Sequence, residues 1–360
     1  MNLEEARAEI NEIDREMAAL FVRRMRTVEE VAAYKQSHGL SVLDASREEQ
    51  VIRKNAALVE DDELRAYYVN FIQKNMEISR SYQHKLMQGM RVAYAGTEGA
   101  FAHIATGKLF PSAEKISYGD FQSAYAAVES GECDVAVLPV ENSYNGEVGP
   151  VTDLMFSGSL YINSMTDLAV TQDLLVVPGT KMEEIKRVIS HPQALGQCAR
   201  FIRDQGWEQI EYPNTAIAAR HVAEQGDRTV AAIASEEAAE IFGLEVLARN
   251  INASRSNTTR FAVFSRSENL HKKQQMGEHF ILMFTVKNEA GALAKAIDVI
   301  GRHGFNMRAL RSRPMKELLW QYYFYVEAEG NVHTPEGKAL LHGLEEFCDK
   351  LKIVGTFTKL

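Results

Sequence analysis

The apolar periodicity of this chain changes twice along its length, and each change limits what the next stretch can fold into. Up to about residue 86 the spacing is helical. Leu3, Arg7, Ile10, Asp14, Met17, Phe21, Arg24, Val28, Val31 and Lys35 follow one another in steps of four and three, an unbroken heptad stripe. From 91 to about 266, short apolar strands alternate with helical stretches: RVAYAG, CDVAVLPVEN, LYINSMTDLAVTQDLLVVP, IKRVISHP and TVAAIAS. That alternation is the signature of α/β layers. From 279 the order is strand (HFILMFTVKN), helix (ALAKAIDVIGRHG), strand (FNMRALRSRP), strand (LWQYYFYVEAE), helix (TPEGKALLHGLEEFCDKL) and strand (KIVGTFTK). This βαββαβ series is the ferredoxin-like arrangement. Polar joints, HKLMQGM and SENLHKKQQMGE, lie between the segments. The chain therefore reads as three domains, 1–87, 91–267 and 278–358, a number its 360 residues accommodate.

The net charge of −9 argues against nucleic acid or an acidic membrane as partner. Any anionic ligand must meet a local cluster of Arg and Lys. Cys133, Cys198 and Cys348 are far apart and odd in number, so they form neither a metal spacing nor a disulfide framework. The start, MNLEEARAEINEID, is acidic and amphipathic, unlike a signal peptide. No apolar run approaches the ~20 residues that span a bilayer. A cytoplasmic protein is expected, in which the sequons at Asn252 and Asn257 stay unmodified. No cofactor is expected. No G-x-G-x-x-G follows a strand, and Gly107-Lys108 lacks the upstream glycine and the following Ser or Thr of a phosphate loop.

Arg7, Arg24 and Lys35 lie within the first helix's otherwise apolar stripe. Burying an unpaired charge is costly, so each needs a partner there. The second helix repeats the pattern. Ser46 and Glu49 have capping-box spacing; Val51, Ile52, Leu58 and Val59 form an apolar face that continues one turn earlier into Asp44, Arg47 and Glu48. A third helix sets Ser79 and Gln83 on the line of Tyr68, Ile72 and Met76. One polar residue in such a stripe can fix register or snorkel to the edge. This many, on the inward faces of three helices, fit a pocket for a small, multiply charged molecule. Arg24 and Lys35 are ~16 Å apart along one helix face and can converge on one ligand. Arg7 lies ~25 Å from Arg24, so it can serve the same site only from a second chain, which predicts a helical homodimer or a larger homo-oligomer.

On Arg7, Arg24, Lys35, the DxxRE of Asp44, Arg47 and Glu48, and SRSYQ at 79–83, the segment resembles the all-α AroQ-type chorismate mutases, known as intertwined helical dimers. The resemblance implies a Claisen rearrangement of chorismate to prephenate. Such a reaction needs its substrate folded into a near-attack conformer and charge stabilised at the breaking ether bond. By resemblance Arg7 and Arg24 hold the two carboxylates. Lys35 and Gln83 bond the ether oxygen. Asp44 and Glu48 take the ring hydroxyl, with Arg47 and Ser79 nearby.

Residues 91–266 resemble the prephenate dehydratases through YAGTEGAFAHIA (94–105), DVAVLPVENSYNG (134–146), SHPQALGQC (190–198) and NTTRF (257–261). The implied fold is a two-lobed α/β domain of the type II periplasmic-binding-protein kind, with its site in the cleft. The departing hydroxyl of prephenate needs a proton or a strong hydrogen bond. Thr259 supplies it by resemblance, and Arg260 positions a carboxylate or the loop. Glu141, Asn142 and Ser143 end a buried strand, where α/β folds often touch ligands. Ser190, Gln197 and Thr215 are further cleft candidates, though a single Ser or Thr is commonly only a cap or turn residue. His191 can be either a site residue or a strand end. Ala102 stands where the family usually has a hydroxyl.

The C-terminal series resembles an α+β ACT domain, the amino-acid-sensing module of phenylalanine biosynthesis. Gly291-Ala292-Leu293 and Asn306, Ser312 and Arg313 match the motifs that bind phenylalanine, while Arg311 replaces the usual Glu. Taken together, the chain resembles the bifunctional P-protein family. A mutase fused to a prephenate dehydrogenase would need the nicotinamide motif that is missing. An arogenate dehydratase is not excluded, and a non-catalytic sensor remains the alternative of another class. Thr259 and the helical charge set argue against the sensor.

Overall fold

The computed structural model describes residues 1–253, 257–268, 277–315 and 321–359. Ser254, Ser256, most of the joint after 267, and Leu319-Trp320 of the expected LWQYYFYVEAE strand lie outside the described residues. The chain forms two compact units, Met1–Arg91 with Ser112–Glu114, and the remainder.

The first unit consists of α1 (Leu3–Ser37), α2 (Ala45–Ala56) and α3 (Asp62–Gln88). α1 is about 52 Å long at 1.5 Å per residue. It opens on a reciprocal capping box between Asn2 and Glu5. α2 departs from the sequence reading. Its cap is Asp44, whose carboxylate accepts the Arg47 N–H at 2.9 Å, so the helix starts before Ser46 and no box forms with Glu49. It stops at Ala56, which leaves Leu58 and Val59 past its end. The core is small: Val28, Ala32, Val42 and Met76, joined by the polar Ser79 and Gln83. Every residue from 7 to 23 is exposed, including Ile10, Met17 and Phe21 of the heptad stripe.

The second unit begins with β1 (Arg91–Ala95), α4 (Phe101–Leu109), β2 (Glu114–Tyr118), α5 (Phe121–Glu129), β3 (Val135–Asn142), the short β4 (Gly146–Glu147), α6 (Gly149–Ser157) and β5 (Tyr161–Ala169). The chain then crosses to a second lobe. That lobe holds β6 (Asp173–Val176), β7 (Arg187–Ser190), α7 (Pro192–Gln197), α8 (Ala199–Gln205), β8 (Glu208–Glu211), α9 (Thr215–Gln225), β9 (Val230–Ala234), α10 (Glu236–Phe242) and β10 (Glu245–Ala248). It returns as β11 (Thr258–Ser265). LYINSMTDLAVTQDLLVVP is thus two strands in two sheets, β5 and β6, parted by the crossing. The second lobe's sheet runs β10-β6-β9-β7-β8.

β3 carries the unbroken apolar run Val135-Ala136-Val137-Leu138, all buried, as a strand covered on both faces requires. It lies between β1 (parallel) and β11 (antiparallel). The β3–β11 ladder bulges near its end: Arg260 faces Glu141 while Phe261 faces Pro139. Pro139 has no N–H to give a ladder, and a bulge is where a sheet accommodates such a residue.

The remaining elements are β12 (Glu278–Val286), α11 (Ala292–Arg302), β13 (Met307–Pro314), β14 (Tyr322–Glu329), α12 (Pro335–Glu345) and β15 (Cys348–Lys359). The order is the expected βαββαβ, with one correction. Residues 348–351, read as the end of a helix, begin β15, because β12 pairs along its whole length as far as Val286 with Cys348. Pairing overrides a stretch whose pattern suits either structure. These strands continue the first lobe's sheet, giving the order β13-β14-β12-β15-β5-β11-β3-β1-β2 with β4 on β3. The join is β15 on β5, parallel, Thr358 with Ser164 and Lys359 with Met165. Gly355, at φ 155°, makes the approach feasible: a Cβ there would sit 2.1 Å from the Ile162 carbonyl oxygen.

Candidate active sites

In the helical unit, α1 meets α3 through Arg24. Its guanidinium bonds the Ser79 hydroxyl and reaches the Asn75 carbonyl at 3.4 Å. Burial lowers the pKa of Arg24 from its ordinary value, though a guanidinium stays charged. Gln83 lies one turn beyond Ser79. Its amide nitrogen donates to the Ser79 carbonyl at 3.3 Å, and its buried carbonyl oxygen has no partner among the described residues. Lys35 donates to the Val42 carbonyl at 2.6 Å. Glu48 of α2 is held by an ion pair from Arg80 of α3. Arg80 was missed in sequence although it lies inside the quoted SRSYQ. Two expected ligand groups are placed otherwise. Asp44 is spent on capping α2, and Arg47, just inside the same end, is exposed. Arg7 is exposed far along α1 from the others.

In the second unit, a cleft of about 330 Å³ lies where the two crossings join the lobes. Asn142, Thr259, Gln197, Thr215 and His191 line it, as does Glu147 of β4. The amide of Asn142 organises it. Its Oδ1 accepts the N–H groups of Tyr144 and Asn145, each at 3.0 Å, which fixes which end of the amide is the donor. Its Nδ2 donates to Thr259 Oγ1 at 2.9 Å and Asn257 Oδ1 at 2.8 Å. Asn257 Nδ2 in turn reaches Gln197 Oε1 at 3.3 Å, tying β3 and β11 to α7 of the other lobe. Thr259 thus accepts a bond while its own proton can serve a ligand, and an accepted bond polarises a hydroxyl as donor. Asn257 was not singled out from sequence, though it opens NTTRF.

The starts of two helices also face the cleft: Ala100 and Phe101 at α4, and Asn214 and Thr215 at α9. Such ends offer free N–H groups and a positive dipole to a carboxylate. His191 caps α7, its ring nitrogen accepting the Gln193 N–H at 3.3 Å, so it is both a cap and a lining residue. Ala102 is buried in α4 and lines nothing here.

Four expected cleft residues are not in its lining. Ser190 is fully buried and donates to the Ile233 carbonyl at 2.5 Å, pinning β7 to β9. Ser143 accepts the Thr258 N–H at 3.0 Å and closes the β3–β11 end. Glu141 and Arg260 face the opposite side of the sheet from Asn142 and Thr259, because successive strand residues alternate. They line a separate polar pocket of about 510 Å³ with His279, Arg308, Arg311 and Glu327. Arg260 pairs there with Asp167 at 3.1 Å and with Glu141 and Glu327 at 3.4 Å. Burial pulls its pKa down, but these carboxylates raise it on balance.

The expected effector residues also divide by face. Along β13 the partly buried positions are Met307, Ala309, Arg311 and Arg313, and the exposed ones include Ser312. Arg313 therefore faces away from Ser312. It pairs with Glu147 at 2.7 Å and Asp153 at 3.1 Å instead of standing free. Gly291, at φ 82°, caps α11, which opens with Ala292 and Leu293. Asn306 donates to Glu329 at 2.8 Å.

Comparison with known proteins covers both units. The prephenate dehydratase family profile matches residues 92–269, and that of chorismate mutase type II matches 6–84. The bifunctional chorismate mutase/prephenate dehydratase of Escherichia coli (strain K12) is 30% identical over 98% of this chain and 95% of its own length. Arogenate dehydratase/prephenate dehydratase 1 of Arabidopsis thaliana is 34% identical over 74% of this chain and 72% of its own. The solved prephenate dehydratase of Arthrobacter aurescens, in complex with L-Phe, superposes with a TM-score of 0.69 at 26% identity, covering 75% of this chain and 90% of that one.

Proposed function

This chain belongs to the family of bifunctional chorismate mutase/prephenate dehydratases, and on that footing we propose that it converts chorismate to prephenate in its helical unit and prephenate to phenylpyruvate in its cleft. Both reactions run without a cofactor.

In the first reaction Arg24 holds one carboxylate of chorismate, and Arg7 of a second copy of the chain holds the other. Lys35 and Gln83 take the ether oxygen as its C–O bond breaks and charge develops there. Glu48, oriented by Arg80, takes the ring hydroxyl. What supports the dimer is the exposure of residues 7–23 with their apolar stripe, a face that needs a partner of matching periodicity.

In the second reaction the ring hydroxyl and a carboxylate leave as water and CO₂, and the freed electron pair completes the aromatic ring. The α4 and α9 starts take the substrate's carboxylates. Thr259 gives its hydrogen bond to the departing hydroxyl. The observation that carries this role is the 2.9 Å bond from Asn142 to Thr259, which commits the threonine oxygen as acceptor and leaves its proton for the substrate. Arogenate, with an ammonium in place of the ketone, is the second reading. The Arabidopsis thaliana relative named for both arogenate and prephenate supports keeping it.

The C-terminal βαββαβ unit acts as an ACT domain with phenylalanine as effector, bound at the Gly291–Leu293 turn with Asn306 and Ser312. The L-Phe complex of the Arthrobacter aurescens relative supports that. Cys133, Cys198 and Cys348 form no disulfide among the described residues, which fits a reducing, cytoplasmic setting. The deciding experiment is to give purified protein chorismate with no nucleotide. Phenylpyruvate is the expected product; prephenate alone would shift the second site to arogenate. Saturating phenylalanine that altered neither turnover nor oligomer size would remove the effector assignment.

A further inference from the structure

The hairpin that carries Asn142 is gripped from outside the cleft. Arg311 and Arg313 are two residues apart on β13 and share one face of it. Arg311 bonds Glu141 and lies over the Tyr325 ring, 5.1 Å from its centroid. Arg313 bonds Glu147 at 2.7 Å, Asp153 at 3.1 Å and the Tyr323 hydroxyl at 3.0 Å, and that hydroxyl donates to Asp153 at 2.6 Å. Glu141 and Glu147 are themselves cross-strand partners in the β3–β4 hairpin. Between them the chain turns through Asn142, Asn145 and Gly146, all in the cleft lining. Gly149 completes the arrangement: a Cβ there would fall 2.6 Å from Arg313 Nη1, so the guanidinium fills the space a side chain would take.

We infer that Arg311 and Arg313 are positioning residues for the dehydratase reaction. Their two carboxylate pairs fix both legs of the hairpin, so that Asn142 stays on Thr259. The inference rests on the cleft being the dehydratase site. The second oxygen of Glu147 is buried and has no partner among the described residues. With Arg313 gone, a partly buried carboxylate would lose its cation, and the cheapest response is for the two-residue β4 to move toward water. A shift of about 1 Å in a catalytic group can cost on the order of a hundredfold in rate. A planar guanidinium holds a carboxylate at two points and an ammonium does not, so Lys should be an incomplete substitute.

The test uses the full chain as wild type, Arg311→Met, Arg313→Met, Arg313→Lys and Gly149→Ala. It reads kcat and KM for prephenate, mutase turnover as internal control, and amide hydrogen exchange over 142–148. The Met variants should lower dehydratase kcat about tenfold or more with KM within about threefold, leave mutase turnover intact, and speed exchange at 142–148. Arg313→Lys should recover part of the loss. Gly149→Ala keeps both arginines but crowds a guanidinium whose flexible end can give way, and should cost less than Arg313→Met. Unchanged kcat in both Met variants, or loss of both activities with fast exchange throughout 92–268, overturns the inference. A wild-type chain that turns over no prephenate would instead fail the proposed function, with the grip still read from exchange.

Discussion

Thr259 and Arg260 are neighbours on β11 that serve opposite faces of one sheet. Thr259 receives the Asn142 amide in the cleft, and Arg260 joins Glu141, Asp167 and Glu327 behind it. The motif TRF therefore divides its side chains between the cleft and the polar pocket behind it.

Replacing Thr259 with Ala should lower dehydratase kcat by roughly 10²–10⁴, the usual contribution of a positioned proton donor, and leave mutase turnover unchanged. Thr259→Ser keeps the hydroxyl and should restore most of the rate. A Ser variant as slow as the Ala variant would argue that the methyl group, not the proton, matters.

Arg7→Ala and Arg24→Ala should each abolish mutase activity alone. If each site draws Arg7 from one chain and Arg24 from the other, mixing and re-forming dimers yields hybrids with one intact site. Random exchange then restores about a quarter of wild-type activity. No recovery in a mixture shown to exchange subunits would place both arginines in one chain's site.

Lys352 of β15 donates to the Met155 carbonyl at 2.6 Å and to that of Gly158, at the end of α6. Burial, helped by Lys350, lowers its pKa to about 8, against an ordinary 10.5. Between those values the unfolded chain binds more protons than the folded one, so Lys352 adds stability as pH rises through that window. The stability of wild type relative to Lys352→Met should climb from pH 8 to 10.5. A flat difference across denaturant titrations at several pH values would contradict the shift.

Gly355→Ala should destabilise the second unit by several kcal/mol, because the added carbon meets the Ile162 backbone and not a side chain that can swing away. Thermal unfolding of that unit is the readout. A shift in Tm of only a degree or so would mean that β15 and β5 separate easily.

The α/β alternation and the βαββαβ order were legible because each follows from a periodicity that burial imposes; the helical stripe was legible as a helix although its residues 7–23 are exposed. Asn142, Gln197, Thr215 and Thr259 were legible as cleft residues by motif. What sequence could not resolve was facing. Glu141 and Arg260 sit beside true lining residues, yet the pleat sends them to the other side. Arg313 parts from Ser312 for the same reason. Ser190 looked like a site hydroxyl and is an internal strand tie, a distinction that depends on β9 lying next to β7. The hairpin grip depends on β13 and β4, elements 160 or so residues apart in sequence but close in space.

Because β15 pairs with β5 at Ser164 and Met165, the first lobe's sheet is continued there and not left as an edge. A fragment cut off before β12 would leave that stretch of β5 with unanswered peptide groups, a template for self-association. The C-terminal unit is therefore separable on paper but not with a protease: its removal should yield precipitate sooner than a deregulated enzyme.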